Sequence, residues 1–224
     1  EAKTHYLSMV GLFLMFFGAL FLLDQNLKTG WLSGIALPVA GVAMLVEGLR
    51  KRLFGWMIPA CLLLGLGVGA FIALTPLLSL SDPQRFGGLL IAFGAGWLLL
   101  CLVSYLMRRK AAWWAFLTGM IILSMGLTFW FSPQLWLTDF VLFVVTGTAI
   151  GFLAWGIAER LLGLIIPGCI LLGIGPGIWL AWGGVITEGA NGLTQTGIML
   201  VCFGLGWLLL TPLSRLITNT FVWW

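Results

Sequence analysis

Charge is the first thing this sequence lacks. Of its 224 residues only 8% are Asp, Glu, Lys or Arg, while 61% are hydrophobic. A water-facing domain carries roughly 25% charged residues, so most of this surface is expected to face lipid. Histidine is almost missing: His5, near the N-terminus, is the single one, which argues against His-ligated haem or chlorophyll inside a membrane. The four cysteines, Cys61, Cys101, Cys169 and Cys202, lie in apolar runs and form no Cys-x-x-Cys pair. A metal site needs several converging ligands, so no metal is expected and the thiols read as small packing groups. There is no Gly-x-Ser-x-Gly, no His-Glu-x-x-His, no Walker loop and no pair of acids on one helical face. General acid–base chemistry needs titratable groups poised together, and here nearly all of them stand at segment ends. Neither an enzyme nor a resident cofactor is expected. No basic face or arm could follow a phosphate backbone, so nucleic acid is not an expected partner.

What the chain has is length in apolar runs. About 20 mainly apolar residues cross a hydrocarbon core, and eight segments qualify: 7–23, 32–49, 55–77, 86–107, 112–131, 137–157, 162–182 and 195–217. The first shows no small-residue cleavage pattern before Asp24 and reads as a retained helix rather than a signal peptide. Backbone in lipid must satisfy its own hydrogen bonds, so segments of this kind are helices. With the N-terminus in the cytoplasm, nine basic residues (Lys3, Arg50, Lys51, Arg52, Arg108, Arg109, Lys110, Arg160 and Arg215) fall inside and only Lys28 and Arg85 outside. That bias predicts both termini in the cytoplasm. Most tryptophans fall near the predicted interfaces, where an apolar ring with a polar N–H settles. Trp97 and Trp207 break the belt, each near mid-helix.

The chain also repeats. FGAGWLLL (Phe93 to Leu100) returns as FGLGWLLL (Phe203 to Leu210), and IPACLLLGLGVG (Ile58 to Gly69) as IPGCILLGIGPG (Ile166 to Gly177). A shift of 108 pairs Gly11 with Gly119, Gly18 with Gly126, Gly48 with Gly156 and Arg52 with Arg160; after the seventh segment the shift becomes 110. The expected fold is thus an all-α polytopic membrane protein of eight transmembrane helices. They form two tandem four-helix repeats, 1–110 and 111–224, each divisible into two hairpins. Four is even, so the repeats are parallel, related about an axis along the membrane normal.

Within the first hairpin, GLFLMFFGALFLLDQNLKTGWLSGIALPVAGVAMLVEGLRKR (Gly11 to Arg52) has a glycine-containing first helix ending in Leu-Leu-Asp. A short loop, an apolar helix with a central glycine and a basic end follow. This stretch resembles the LiaI–LiaF-like transmembrane region of bacterial envelope-stress proteins, and the other hairpins resemble it loosely. The resemblance implies a bacterial cytoplasmic membrane. That family couples such helices to a soluble sensory or regulatory domain, which these residues do not contain.

Glycine marks the candidate contact surfaces. Gly65 and Gly69, like Gly173 and Gly177, form GxxxG patterns, whose bare faces let two helices approach closely. Gly94 and Gly96, and Gly204 and Gly206, are the expected matching notches, so the third segment is expected to pack on the fourth and the seventh on the eighth. Pro176 replaces Val68 of the first repeat and predicts a helix kink. Trp97 and Trp207 read as packing anchors or as contacts for an apolar ligand. Asp24, Asp139 and Glu47 are read as interfacial groups or, for an outer acidic mouth, as cation-attracting ones. Thr118, Ser124, Thr128, Thr146 and Thr148 are expected to bond to their own helix backbones. The function these features imply is a non-enzymatic integral membrane subunit that packs against other membrane proteins or further copies of itself, surrounded by membrane lipid. The alternative is a transporter, or a lipid, quinone or pigment carrier, with a site between the repeats.

Overall fold

The computed structural model of the chain describes residues 15, 18–19, 22–26, 32–75, 79–132, 134, 137–183 and 191–218. Seven complete helices lie in these residues: α1 (Leu32–Lys51), α2 (Phe54–Leu74), α3 (Asp82–Arg108), α4 (Trp113–Phe131), α5 (Leu137–Ala158), α6 (Leu162–Trp182) and α7 (Gly192–Thr218). In the first predicted span, 7–23, the described residues 15, 18–19 and 22–23 are helical, as are 24–26 beyond it, and the rest of the span lies outside the described residues. Six helices, α2 to α7, are long and apolar enough to cross a membrane, and no strand occurs among the described residues. The protein is an all-α membrane protein.

Two helices begin earlier than their apolar composition predicts. α3 starts at Asp82 rather than at residue 86, and α7 at Gly192 rather than at 195. At α3 the reason is local chemistry. The Gln84 side chain accepts a hydrogen bond from the Ser81 backbone N–H at 3.1 Å, and a proline stands in the first turn, where its missing N–H costs nothing. Helix therefore extends past the oily stretch into the polar SDPQ sequence.

Helix direction alternates, as the paired positions prove. A Cβ placed at Gly48 would meet the Met57 side chain at 3.3 Å, and one at Gly41 the Leu64 backbone at 2.7 Å, so α1 and α2 run antiparallel. Gly65 meets Gly96 between α2 and α3, Gly126 meets Ile91 between α3 and α4, Gly151 meets Leu117 between α4 and α5, Gly168 meets Leu153 between α5 and α6, and Gly206 meets Gly173 between α6 and α7. Every substantial helix–helix contact among the described residues joins neighbours in the chain. One consequence is electrostatic: Arg50, Lys51, Arg52, Arg108, Arg109, Lys110, Arg160 and Arg215 all gather at the same end of the helices.

The turns at that end are built on arginine. Arg52, Arg109 and Arg160 have φ of 52°, 56° and 54°, the left-handed region. After α1, the Leu53 N–H reaches the Gly48 carbonyl at 3.1 Å and the Arg52 N–H the Leu49 carbonyl at 3.3 Å. After α5, the Leu161 N–H reaches Gly156 at 2.8 Å and the Arg160 N–H reaches Ile157 at 3.4 Å. Both are Schellman closures, which satisfy carbonyls that a helix end leaves open. Glycine is the usual occupant of the left-handed position. Arginine there costs roughly 1–2 kcal/mol of backbone strain but places a cation against the negative end of the helix dipole.

Two cores at matched positions sit near this end. Met57, Cys61 and Leu100 are fully buried and pack with buried Val103, with Ala112 just before α4 and with Ala115 in it. Ile165, Cys169 and Leu210 form the other, at the corresponding positions, but with no residues equivalent to the two alanines. Cys61 and Cys169 thus serve as packing groups at the centres of the two cores.

Candidate functional site

The glycine notches are the most specific surfaces in the molecule. Between α2 and α3, a Cβ at Gly65 would lie 2.8 Å from the Ala92 carbonyl oxygen, one at Gly69 2.9 Å from Leu89 Cα, and one at Gly96 2.7 Å from the Cys61 carbonyl oxygen. Between α6 and α7, a Cβ at Gly173 would lie 2.6 Å from the Cys202 carbonyl oxygen, one at Gly206 2.6 Å from the Cys169 carbonyl oxygen, and one at Gly177 3.0 Å from Cys202 Cβ. No real Cβ fits at the distances found at Gly65, Gly69, Gly96, Gly173 and Gly206, whereas at Gly177 the neighbours are the Cys202 and Met199 side chains, which would have to give way. At the first five the backbones touch because these positions carry no side chain, and dispersion between close-packed main chains replaces the water exclusion that lipid cannot supply.

Gly94 is turned elsewhere. Its Cβ position lies 2.7 Å from the Leu123 backbone nitrogen, on α4 rather than α2. It belongs to a second glycine seam, in which Gly87 faces Gly126 and Gly119 faces Gly94 and Trp97. Sequence spacing assigned Gly94 and Gly96 to one notch. Two positions apart on a helix they stand on different faces, and the structure uses both. Gly204, the counterpart of Gly94, has nothing within 4 Å.

The two central tryptophans occupy unlike settings. Trp97 packs edge-on against Trp114, with ring centroids 5.6 Å apart, and against Phe93. Its indole Nε1 is buried without a hydrogen-bond partner. Trp207 keeps the intrahelical contact with Phe203 but is 40% exposed. Pro176 lies within α6, which is continuous from Leu162 to Trp182 and also contains Pro167.

The polar side chains inside the helices are occupied by the protein's own backbone. Thr118 donates to the Trp114 carbonyl, Ser124 to Met120, Thr128 to Ser124 and Thr148 to Val144, each one turn back. Thr146 differs: its Oγ1 is buried and unpartnered, lying 2.6 Å from where a Gly175 Cβ would stand. The Ser124 hydroxyl fills the space a Cβ at Gly147 would need, so α4 and α5 close on each other there.

The sequence offers Asp139 as an interfacial acid or as part of a cation-attracting mouth. It accepts from the Ser132 hydroxyl at 2.5 Å and from Trp179 Nε1 at 2.8 Å, so both carboxylate oxygens are engaged. The group ties the end of α4 and the end of α6 to the start of α5. At the opposite end, Trp113 Nε1 donates to Glu159 at 2.6 Å while its ring stacks on Trp155, and Arg108 lies 3.9 Å over the Phe54 ring. Glu47 is paired with Lys51 at 2.7 Å on the surface of α1. Asp24 is buried. No group of three or more His, Cys, Asp or Glu side chains converges among the described residues.

No protein-family model, curated protein or solved structure matches the chain.

Proposed function

We propose that this protein is a non-enzymatic integral membrane subunit that works by helix packing and by association within the membrane. In this reading eight transmembrane helices form two parallel four-helix repeats, with both termini in the cytoplasm of a bacterial cell. Several observations support the duplication. The Schellman turns at Arg52 and Arg160, the Gly65/Gly96 and Gly173/Gly206 contacts, and the Cys61 and Cys169 cores recur at the spacings of the sequence repeat. The basic residues collected at one end of the helices support the cytoplasmic placement of that end.

A single observation carries the functional reading. α3 and α7 share a sequence motif and the same contact with the preceding helix, yet 39% of the apolar stretch of α3 is buried against 11% of that of α7. A face that the chain packs tightly in one copy and leaves bare in the other is a surface for association. A carrier remains the second reading, because Trp97 presents a buried indole N–H with no partner, which a ligand carbonyl or headgroup oxygen would satisfy.

Purification in a mild detergent, followed by mass spectrometry of the intact assembly, tests the proposal. Stoichiometric membrane-protein partners or defined multiples of this chain are expected. A monomer carrying one defined lipid, quinone or pigment would instead establish the carrier.

A further inference from the structure

We infer that copies of this chain assemble head to tail, the uncovered face of α7 receiving the first apolar segment of the next copy. The inference rests on the reading above and names its partner: a second copy of the same chain.

The α3–α4 seam is the template. On α3 the docking face consists of Gly87, Gly88, Ile91, Gly94 and Trp97; on α4 it consists of Gly119, Leu123, Gly126 and Trp130. At a spacing of 110, α7 carries Gly197, Ile198, Val201, Gly204 and Trp207. This face is bare: Gly197 and Gly204 have nothing within 4 Å, and Val201 is 64% exposed. At a spacing of 108, the first segment carries Gly11, Met15, Gly18 and Leu22 in place of the α4 residues. Here too the described positions are open. Gly18 has nothing within 4 Å, and Met15 is 78% exposed. The face of α7 and the first apolar segment are therefore a socket and a matching plug, and the described positions Met15, Gly18, Gly197 and Gly204 are not covered within the chain.

The substitutions between template and open faces compensate. In the seam, Gly88 gives room to the Trp130 ring, which lies 3.2 Å from the Gly88 Cβ position. At the open faces the glycine has become Ile198 and the tryptophan Leu22. Bulk has moved from one side to the other, as a retained contact requires. Trp97 meets Trp114 in the seam, whereas Trp207, at the position of Trp97, is 40% exposed on the open face. Orientation is also consistent. α4 is antiparallel to α3, so a first segment docked on α7 in that register leaves both copies facing the same way through the membrane. Such a contact joins two different surfaces, so it propagates into rings or rows rather than closing as a two-fold dimer.

Disulfide trapping tests this. In full-length protein with Cys61, Cys101, Cys169 and Cys202 replaced by Ala, and shown to remain membrane-integral and monodisperse, Met15→Cys and Gly204→Cys correspond to Leu123 and Gly94. The Gly94 Cβ position lies 2.9 Å from Leu123 Cβ. Copies carrying Met15→Cys with one tag and Gly204→Cys with another are co-expressed and oxidised in membranes. A mixed-tag dimer is expected, and the double variant should give a ladder. A copy that keeps its native Cys202, which faces Gly173 and Gly177 within the chain, should not couple to Met15→Cys. Absence of the mixed dimer would overturn the inference. So would cross-linking of the double variant only within monomers, which would mean that the chain closes on its own first segment.

A second variant is independent of cysteine chemistry. A Cβ at Gly204 meets no atom within 4 Å, so a Gly204→Leu monomer should fold unchanged, while the self-association constant should fall at least about tenfold, the effect of ~1.4 kcal/mol. Unchanged assembly would also refute the contact. If copies fail to couple while the protein still purifies with a different membrane protein, only the head-to-tail contact is lost. If a monomer carries a defined lipid, quinone or pigment, the wider reading falls with it.

Discussion

At the scale of single residues, the informative positions are those where local preference is overridden. Arginine in the left-handed region at Arg52 and Arg160 is one. Replacing either by Gly removes the Cβ clash and the charge, whereas Ala removes only the charge. The Gly variant should therefore melt above the Ala variant at both positions, by about 1 kcal/mol in stability. Thermal unfolding in detergent measures this, and equal melting of the pair would show that the turn does not hold that conformation. Asp139 is the other. Its carboxylate collects a hydroxyl and an indole N–H from two helices, and hydrogen bonds to a charged group contribute roughly 1.5–3 kcal/mol each in water-exposed proteins, less in membranes. Asp139→Ala should cost about 1–3 kcal/mol on that basis, seen as a lowered Tm, and Asp139→Asn should cost less because its carbonyl still accepts one bond. A cost no greater than that of Thr118→Ala, which breaks a bond within one helix turn, would contradict the tethering role.

At the scale of helices, apolar length made much of the helix layout legible. The apolar runs from 32 to 217 each coincide with a helix, and most ends agree to within a few residues, because helix is the only economical way to bury a single strand of backbone in lipid. The start of α3 was not legible from hydropathy, since Ser81, Pro83 and Gln84 form helix by capping rather than by burial. The faces were half legible. Spacing identifies which glycines share a helix side, yet it does not say which neighbour lies on that side, so Gly94 and Gly96 looked like one notch. The Asp139–Trp179 bond was illegible because it joins residues 40 apart in sequence whose meeting depends on how α5 and α6 pack. The notches themselves allow a sharp test. Gly65→Leu and Gly173→Leu would drive a side chain into the carbonyl oxygens of Ala92 and Cys202, and overpacking costs about 1–3 kcal/mol or more where backbone cannot yield. Gly55→Leu and Gly163→Leu, at positions where an added Cβ meets nothing within 4 Å, serve as matched controls. Both notch variants should lose folded protein while both controls retain it; a tolerant notch at either site would show that the helices there are not in backbone contact.

At the scale of the whole molecule, the question is what holds one half to the other. The predicted boundary at residues 110 and 111 is not a gap in the packing. The Ser104 hydroxyl donates to the Lys110 carbonyl at 2.9 Å, Ala112 and Ala115 complete the core around Met57 and Leu100, and the Gly87–Gly126 approach lies beyond them along the same seam. The halves are thus joined by a glycine interface of the same kind that joins helices within each half, and the covalent link adds proximity rather than the contact itself. Two chains, 1–110 and 111–224, expressed together with different tags, should therefore purify as a complex. Gly126→Leu should separate them, because its Cβ already lies 2.7 Å from the Ile91 backbone nitrogen and 2.8 Å from the Gly87 carbonyl oxygen. Gly204→Leu should leave this pair intact, since the corresponding face of α7 is empty. Halves that purify apart would mean that the α3–α4 seam is too weak to hold without the peptide bond. A seam that weak would also be a poor template for an association between copies, so this measurement bears on the assembly before any oligomer is isolated.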